Sequence, residues 1–264
     1  METFQLSEKL LKKIADLISA KKNIPLKKIV KDIHFADMAE IINELNEDQG
    51  IYLIKLFDSE KTSEILTELD EDVREKILKA LSVKEIADEI EELDSDDAAD
   101  ILGELSDERK EEVISEISDN NLADDLKELL SYEEDSAGGL MAKELVQANE
   151  NWSVTKCLKE IKKQGENVTR VHSIYVVDDK QKLIGRLSLK DLITSPAKNL
   201  IKDIYIPKVD SVNVYDDGEE VAKIMSKYDL EAIPVVDNKK QLVGRITIDD
   251  IVDFIKEEAE EDYL

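Results

Sequence analysis

The chain has little of what most binding and catalytic chemistry uses. There is one cysteine, Cys157, in 264 residues. A disulfide framework within the chain is excluded, and a lone thiol fits a reducing compartment. Two histidines and one thiol argue against a zinc or iron site, which draws on imidazole and thiolate ligands. Aromatic residues are 5% of the total, so the cores must be built of Leu, Ile, Val and Ala. No run of about 18 apolar residues is present, so nothing in the sequence reads as a membrane span. Leu6 to Ile18 is interrupted by Glu8, Lys9, Lys12, Lys13 and Asp16, which does not make a signal peptide. No nucleophile–base set and no Gly-rich phosphate loop can be picked out, and the chain does not read as an enzyme. Basic charge is outweighed. With 36 Lys and Arg against 63 Asp and Glu, the net charge is −27, a poor basis for holding nucleic-acid phosphates or, apart from the basic N-terminal segment, an anionic membrane.

What is abundant is acid, and it is unevenly placed. Residues 1–31 are basic, with eight Lys against three acids. Glu85 to Asp135 holds 22 Asp and Glu against three Lys and Arg, and a second dense tract runs from Asp249 to Asp262. Acid at this density repels itself unless cations neutralise it. A shape that depends on a hard cation is the expectation.

The first half carries a twelve-residue period. Leu45, Phe57, Leu69, Leu81, Leu93, Leu105 and Ile117 are evenly spaced, and each precedes a residue of helix N-cap type: Asn46, Asp58, Asp70, Ser82, Asp94, Ser106 and Ser118. Apolar residues between the caps recur at three- and four-residue steps, which is helical periodicity. A helix of about eight residues buries too little alone, so residues 30–130 read as a right-angled stack of short helices sharing one core. Leu6 to Ala20 reads as a longer amphipathic helix that caps the stack or touches lipid. Asp at caps suits the helix dipole. Asp96 and Asp100, four residues apart, exceed that need: they share a helix face and repel each other, or they hold a cation.

After Tyr132 the pattern changes. Ser136-Ala-Gly-Gly139 is a turn signal, and β-branched runs then alternate with helical ones. Val176 to Ile193 matches Val235 to Val252 at a constant offset of 59 residues. Each copy reads strand, hairpin turn, strand, helix, with an earlier helix at Thr155–Lys163 or Glu219–Lys227. The first copy has extra residues around Gly165–Val168. Pro234 is placed at a strand start, Trp152 and Tyr175 pack in the first copy, and Cys157 is a small buried hydrophobe. His34 and His172 have no paired ligands.

The run Gly185…Ser188-Leu-Lys-Asp191, repeated as Gly244…Thr247-Ile-Asp-Asp250, resembles the last part of a CBS module, and the repeat resembles a tandem CBS (Bateman) pair. In such pairs the Ser/Thr and Asp meet the ribose of an adenine nucleotide. The alternative is that these residues cap the following helices. Tyr132-Glu-Glu-Asp-Ser-Ala-Gly-Gly-Leu-Met141, between a helical stack and a CBS pair, is similar to the cytosolic half of MgtE-type magnesium transporters, with Glu133 where that family usually has Pro. The resemblance implies an α plus α/β fold: a superhelical stack over 1–131, CBS modules at 132–197 and 198–256, and the start of a connecting helix at 257–264. It further implies a homodimer formed through the CBS modules, continuing into a transmembrane domain that these residues do not include. The chain thus reads as cut from a longer protein at the cytoplasmic face of the bacterial inner membrane.

In that family the soluble half senses Mg²⁺, which compacts the dimer and closes the pore. Mg²⁺ prefers carboxylate and water ligands, in keeping with this composition. By motif, the implied ligands are Asp229, Asp250 and Asp253 of the second module, with Glu219 and a carbonyl of Ser226. Asp96, Asp100 and Glu64 follow in the helical domain, with a carbonyl of Gly138 at the junction. Glu258, Glu261 and Asp262 lie at the C-terminal end, where a solvated charge run is the alternative. Ser188 and Asp191 are the implied nucleotide contacts, with ATP as the possible ligand. A rival function is an adenine-nucleotide sensor that regulates some other partner.

Overall fold

In the computed structural model the described residues are 4–261. They form two compact units: residues up to Leu93 with 97–124, and Asp94–Asp96 with Asp125 onward.

The first unit is a run of short helices. In chain order these are α1 (Glu8–Ser19), α2 (Asn23–Val30), α3 (Phe35–Asn43), α4 (Glu47–Ile54), α5 (Ser59–Thr67), α6 (Glu71–Ala80), α7 (Val83–Ile90), α8 (Ser95–Gly103), α9 (Asp107–Glu116) and α10 (Asn120–Leu129). Of these, α8 starts and α10 ends in residues counted with the second unit. The twelve-residue period sets their spacing, and most starts fall where the caps predict. Asn46 accepts the Gln49 amide, Asp58 that of Lys61, and Ser82 forms a capping box with Glu85. Three details differ. Asp70 and Ser106 hold the cap positions of α6 and α9 without a side-chain cap bond. Asp119, not Ser118, caps α10, its Oδ1 accepting the Asn121 amide at 2.8 Å; a carboxylate is the better match to the helix dipole.

In the middle of the stack a helix packs mainly on the second one along, α3 on α5, α5 on α7, α7 on α9 and α4 on α6, while α1 packs on α2 and α4. Ile41, Ile42, Leu53, Ile65, Leu66, Ile77, Leu78, Ile86 and Ile90 fill the space between. Helices this short leave many carbonyls unpaired at their C-terminal ends, and three cations of this unit sit at such ends. Lys61 Nζ bonds the Val30, Lys31 and Ile33 carbonyls beyond α2. Arg74 bonds those of Leu66 and Leu69 at the end of α5, and Arg109 those of Leu78 and Leu81 at the end of α6.

The second unit holds α11 (Ala137–Leu140) and two three-stranded sheets. The first sheet is β1 (Val146–Asn149), β2 (Ile174–Val177) and β3 (Leu183–Leu187), with α12 (Val154–Gln164) and α13 (Leu189–Thr194). The second is β4 (Val212–Asn213), β5 (Ala232–Val236) and β6 (Leu242–Thr247), with α14 (Gly218–Lys227) and α15 (Ile248–Glu261). In each, the first strand pairs parallel and the last antiparallel to the middle one. The predicted hairpins and helices are present; β1 and β4 are additions to the expected pattern. Pro234 lies mid-strand rather than at a strand start. It is tolerated because β4 pairs only with Val235 and Val236, so no ladder bond is lost on that side. Ser136-Ala-Gly-Gly139 forms the single turn of α11, capped by Ser136, rather than a plain turn.

The 59-residue offset is a structural near-symmetry. Leu183 N donates to Lys240 O, and Leu242 N donates to Gln181 O, each at 3.0 Å. Gln181 and Lys240 are equivalent and share a left-handed φ of 62° and 64°. Asp178 and Asp237 each accept two amides of their own turn. The lead-in to each module crosses to the other: Ala142 bridges Arg245 of β6, and Ile206 bridges Arg186 of β3. This crossing explains Gly185 and Gly244. A Cβ on Gly244 would sit 2.6 Å from Met141 Sδ and 2.7 Å from Ala142 O, and one on Gly185 would strike the Ile206 carbonyl and the Tyr205 ring.

Candidate functional site

The junction is part of the second unit. Ser136 Oγ and N both donate to Glu133 O, so the turn forms with Glu at that position. Ala137 N donates to Asp216 O, Gly138 N to Val214 O at 2.8 Å, and Gly218 N to Asp135 O. Residues 135–138 are thereby tied to the lead-in of α14. Ser95 is held in the same unit. Its Oγ donates to Glu144 Oε2 at 2.7 Å and accepts the Lys143 amide.

The acids of the second module lie around the two ends of α14 and the start of α15. Asp229 follows α14, is exposed, and has a φ of 50°, a conformation that Asp and Asn tolerate. Asp250 is half-buried, and its Oδ2 accepts both the amide (2.8 Å) and the hydroxyl (2.6 Å) of Thr247. Capping, the alternative for this pair, is therefore what Thr247 and Asp250 do here. Asp253 is exposed and pairs with Lys256 at 2.6 Å. Glu219 is exposed and pairs with Lys223 at 3.4 Å, and Ser226 is exposed on α14. Glu64 is exposed on α5. Asp96 and Asp100, expected on one face, differ: Asp96 is buried and counted with the second unit, while Asp100 is exposed in the first. Glu258 is exposed on α15, Glu261 is that helix's last residue, and Asp262 lies outside the described residues.

Among the described residues no three His, Cys, Asp or Glu side chains gather as a ready-made metal cage. The donor set is nonetheless of the right kind for Mg²⁺. It consists of carboxylates and carbonyls, mostly exposed, suited to an ion that keeps several waters and takes one or two carboxylates. Ser188 caps α13, its Oγ accepting the Asp191 amide at 3.0 Å, and Asp191 is half-buried beside it. Cys157 is fully buried, and burial pushes its thiol up to about 11, so it is inert packing.

Two features escaped the sequence. Glu89 of α7 is buried with its Oε2 unbonded, and burial followed by the nearby charges of Asp88, Glu92, Glu85 and Asp58 raises its pKa from 4.5 to about 8. The second is a small recess between Arg170, His172, Tyr175 and Arg245. In sequence Tyr175 reads as packing and His172 as unpaired; only the offset of 59 hints at more, since it sets Arg170 and His172 opposite Asp229 and Glu231.

A stack of capped short helices followed by two cross-paired βαββα units defines a helical domain and a CBS pair. Comparison with known proteins agrees. The MgtE intracellular N domain matches residues 33–135, and the CBS domain matches 137–198 and 201–257. The chain is 42% identical over 134 residues to the magnesium transporter MgtE of Thermus thermophilus and 36% over 135 residues to that of Bacillus subtilis. Each aligned stretch is 51% of this chain and 30% of the transporter's length. A crystal structure of the cytosolic domain of the Mg²⁺ channel MgtE in complex with ATP superposes with a TM-score of 0.84 at 31% identity, covering 92% of this chain and 99% of that one. The soluble part of a magnesium transporter superposes at 0.79 and 29%, covering 96% and 99%. The chain belongs to the MgtE family and comprises its N domain and CBS pair. Among the described residues no helix is long and apolar enough to cross a membrane.

Proposed function

We propose that this chain is the magnesium-sensing regulatory part of an MgtE transporter in the bacterial inner membrane. Mg²⁺ neutralises acidic faces on the helical domain, the CBS pair and the helix that follows. High Mg²⁺ compacts a homodimer formed through the CBS modules and closes the pore; low Mg²⁺ leaves carboxylates repelling and the pore open. The domain bounds proposed are 1–131, 132–197, 198–256 and 257–264. The carrying observation is the match to the cytosolic domain of an Mg²⁺ channel along 92% of the chain. The donor chemistry and the −27 charge support the same reading.

Small-angle scattering and limited proteolysis test it. Millimolar Mg²⁺ should shrink the radius of gyration and protect Glu134–Gly139 from cleavage, with Asp229→Asn, Asp250→Asn and Asp96→Asn each shifting the midpoint upward. An Mg²⁺-independent radius and cleavage pattern would refute the sensor. Nucleotide is proposed as a modulator at Ser188 and Asp191, supported by the relative's complex with ATP. ATP binding that survives Asp191→Ala would remove that assignment.

A further inference from the structure

The helical unit carries one stretch of opposite sign to the rest of the chain. From Leu17 to Ala36 there are five lysines, Lys21, Lys22, Lys27, Lys28 and Lys31, and one acid, Asp32. All five lysines are exposed. Among the described residues their ammonium groups have no ion pair and no hydrogen bond. Elsewhere in this unit basic side chains are mostly in use: Lys61, Arg74 and Arg109 on carbonyls, and Lys55, Lys76, Lys79 and Lys110 on carboxylates. Ile24, Lys27, Lys28 and Lys31 stand at i, i+3, i+4 and i+7, one stripe along α2 and its C-cap. Leu26 and Val30, on the opposite side, are buried and hold the helix to the stack. Ile24 is 86% exposed, the most of any large hydrophobic side chain among the described residues.

One exposed isoleucine is ordinary on its own; its setting is not. Lysine in the last turn of a helix suits the dipole, which accounts for Lys27 and Lys28. It does not account for the start of α2, where Lys22 holds the cap position with no side-chain cap bond and the first turn has no acid. The next five helices each have an acid there. An acidic protein surface would satisfy the lysines and has no use for Ile24. A phospholipid surface takes both: anionic headgroups attract each nearby lysine, and the headgroup–acyl boundary takes the apolar side chain. Lysine stems can lie along that boundary with the ammonium among the headgroups. The net −27 does not forbid the contact, because at physiological salt a charge acts over about 8 Å. We propose that the outer stripe of α2, with Lys21 and Lys22 before it, docks on an anionic lipid bilayer, Ile24 entering the boundary between its flanking lysines. The contact is superficial, since Ile14 and Ile18 on the apolar side of α1 are already buried. The docking goes beyond ion sensing and rests on the proposed transporter only for the nearness of a bilayer.

Co-sedimentation with vesicles tests it on the chain itself, in EDTA so that no Mg²⁺ response is involved. Vesicles of phosphatidylglycerol mixed with phosphatidylcholine should bind the chain, and vesicles of phosphatidylcholine alone should not. Raising the salt from about 0.1 M to about 1 M, which shortens the Debye length from about 10 Å to about 3 Å, should release it. Lys27→Gln and Lys28→Gln should each weaken binding about fivefold, and Ile24→Ser several-fold. All three positions are exposed, so these variants do not depend on core packing, and an unchanged melting temperature verifies it. A polarity-sensitive dye on Ile24→Cys should shift to the blue on the mixed vesicles; it labels that position selectively because Cys157 is fully buried. No binding to the mixed vesicles, no blue shift in the bound chain, or binding unchanged in all three variants overturns the proposal. If the vesicles stay bare and the same variants change the oligomeric state in ultracentrifugation, the stripe meets a second copy of the chain, and the lipid contact is again refuted. With Mg²⁺ chelated, such a failure leaves the sensor untouched, and a failed scattering test of the sensor leaves the vesicle result untouched.

Discussion

At the scale of single residues, Gly185 and Gly244 are places where a crossing segment needs a bare Cα. Gly244→Ala forces Met141 and the Ala142 carbonyl apart. It should cost about 1–3 kcal/mol, read as a lower urea midpoint for the second unit; an unchanged midpoint would mean the lead-in is not held there. Asp229 illustrates how a residue can be tested without breaking the fold. Its φ of 50° is tolerated by Asn, so Asp229→Asn should melt within about 0.5 kcal/mol of the parent while requiring more Mg²⁺ for compaction. A large loss of stability in the absence of Mg²⁺ would show that the carboxylate is structural.

At the scale of elements, the helical stack depends on a few well-placed side chains. Arg74 bonds two carbonyls at the end of α5 and donates to Glu104 at 2.7 Å, with both side chains mostly buried. Arg74→Ala leaves the Glu104 carboxylate and two carbonyls without this partner. A loss of about 3–5 kcal/mol is expected, measured by denaturant unfolding; a loss under about 1 kcal/mol would class the pair with ordinary surface ion pairs. Glu89 predicts a pH dependence. Its pKa is raised to about 8 in the folded state against an ordinary 4.5. The folded state therefore holds a proton that the unfolded chain releases, and the contribution is complete below about 4.5 and lost as pH rises through about 8. Glu89→Gln should flatten the decline in melting temperature of the helical unit between these values. If the parent and the variant decline in parallel, Glu89 is not the group responsible.

At the scale of the whole chain, charge matters more than any single contact. With a net −27, self-repulsion opposes compaction, and cations relieve it in two ways: by general screening and by direct ligation. Mg²⁺ should raise the melting temperature more than NaCl of equal ionic strength, because a bound ion adds mass-action stabilisation to screening. Equal shifts in the two salts would reduce the acid tracts to a screening effect.

Much of this protein was legible as a linear pattern. The twelve-residue period placed the helices and most of their caps, because capping and amphipathicity are local and nearly every cap acts within three residues. The 59-residue offset gave the two modules, since hairpins are also local. The hard-donor character of the side chains was legible as well, in the surplus of carboxylate over thiolate and imidazole. What sequence could not supply came from contacts between distant segments. β4, two residues long, has no local signature and exists because β5 offers it an edge. The exchange of lead-in segments, the burial of Asp96 apart from Asp100, and the unpartnered hydroxyl of Tyr175 beside Arg245 arise from residues far apart in sequence. Capping and periodicity are properties of a few neighbouring residues and can be read in order, whereas burial and unmet hydrogen bonds depend on what the folded chain brings alongside, and only the tertiary structure decides that.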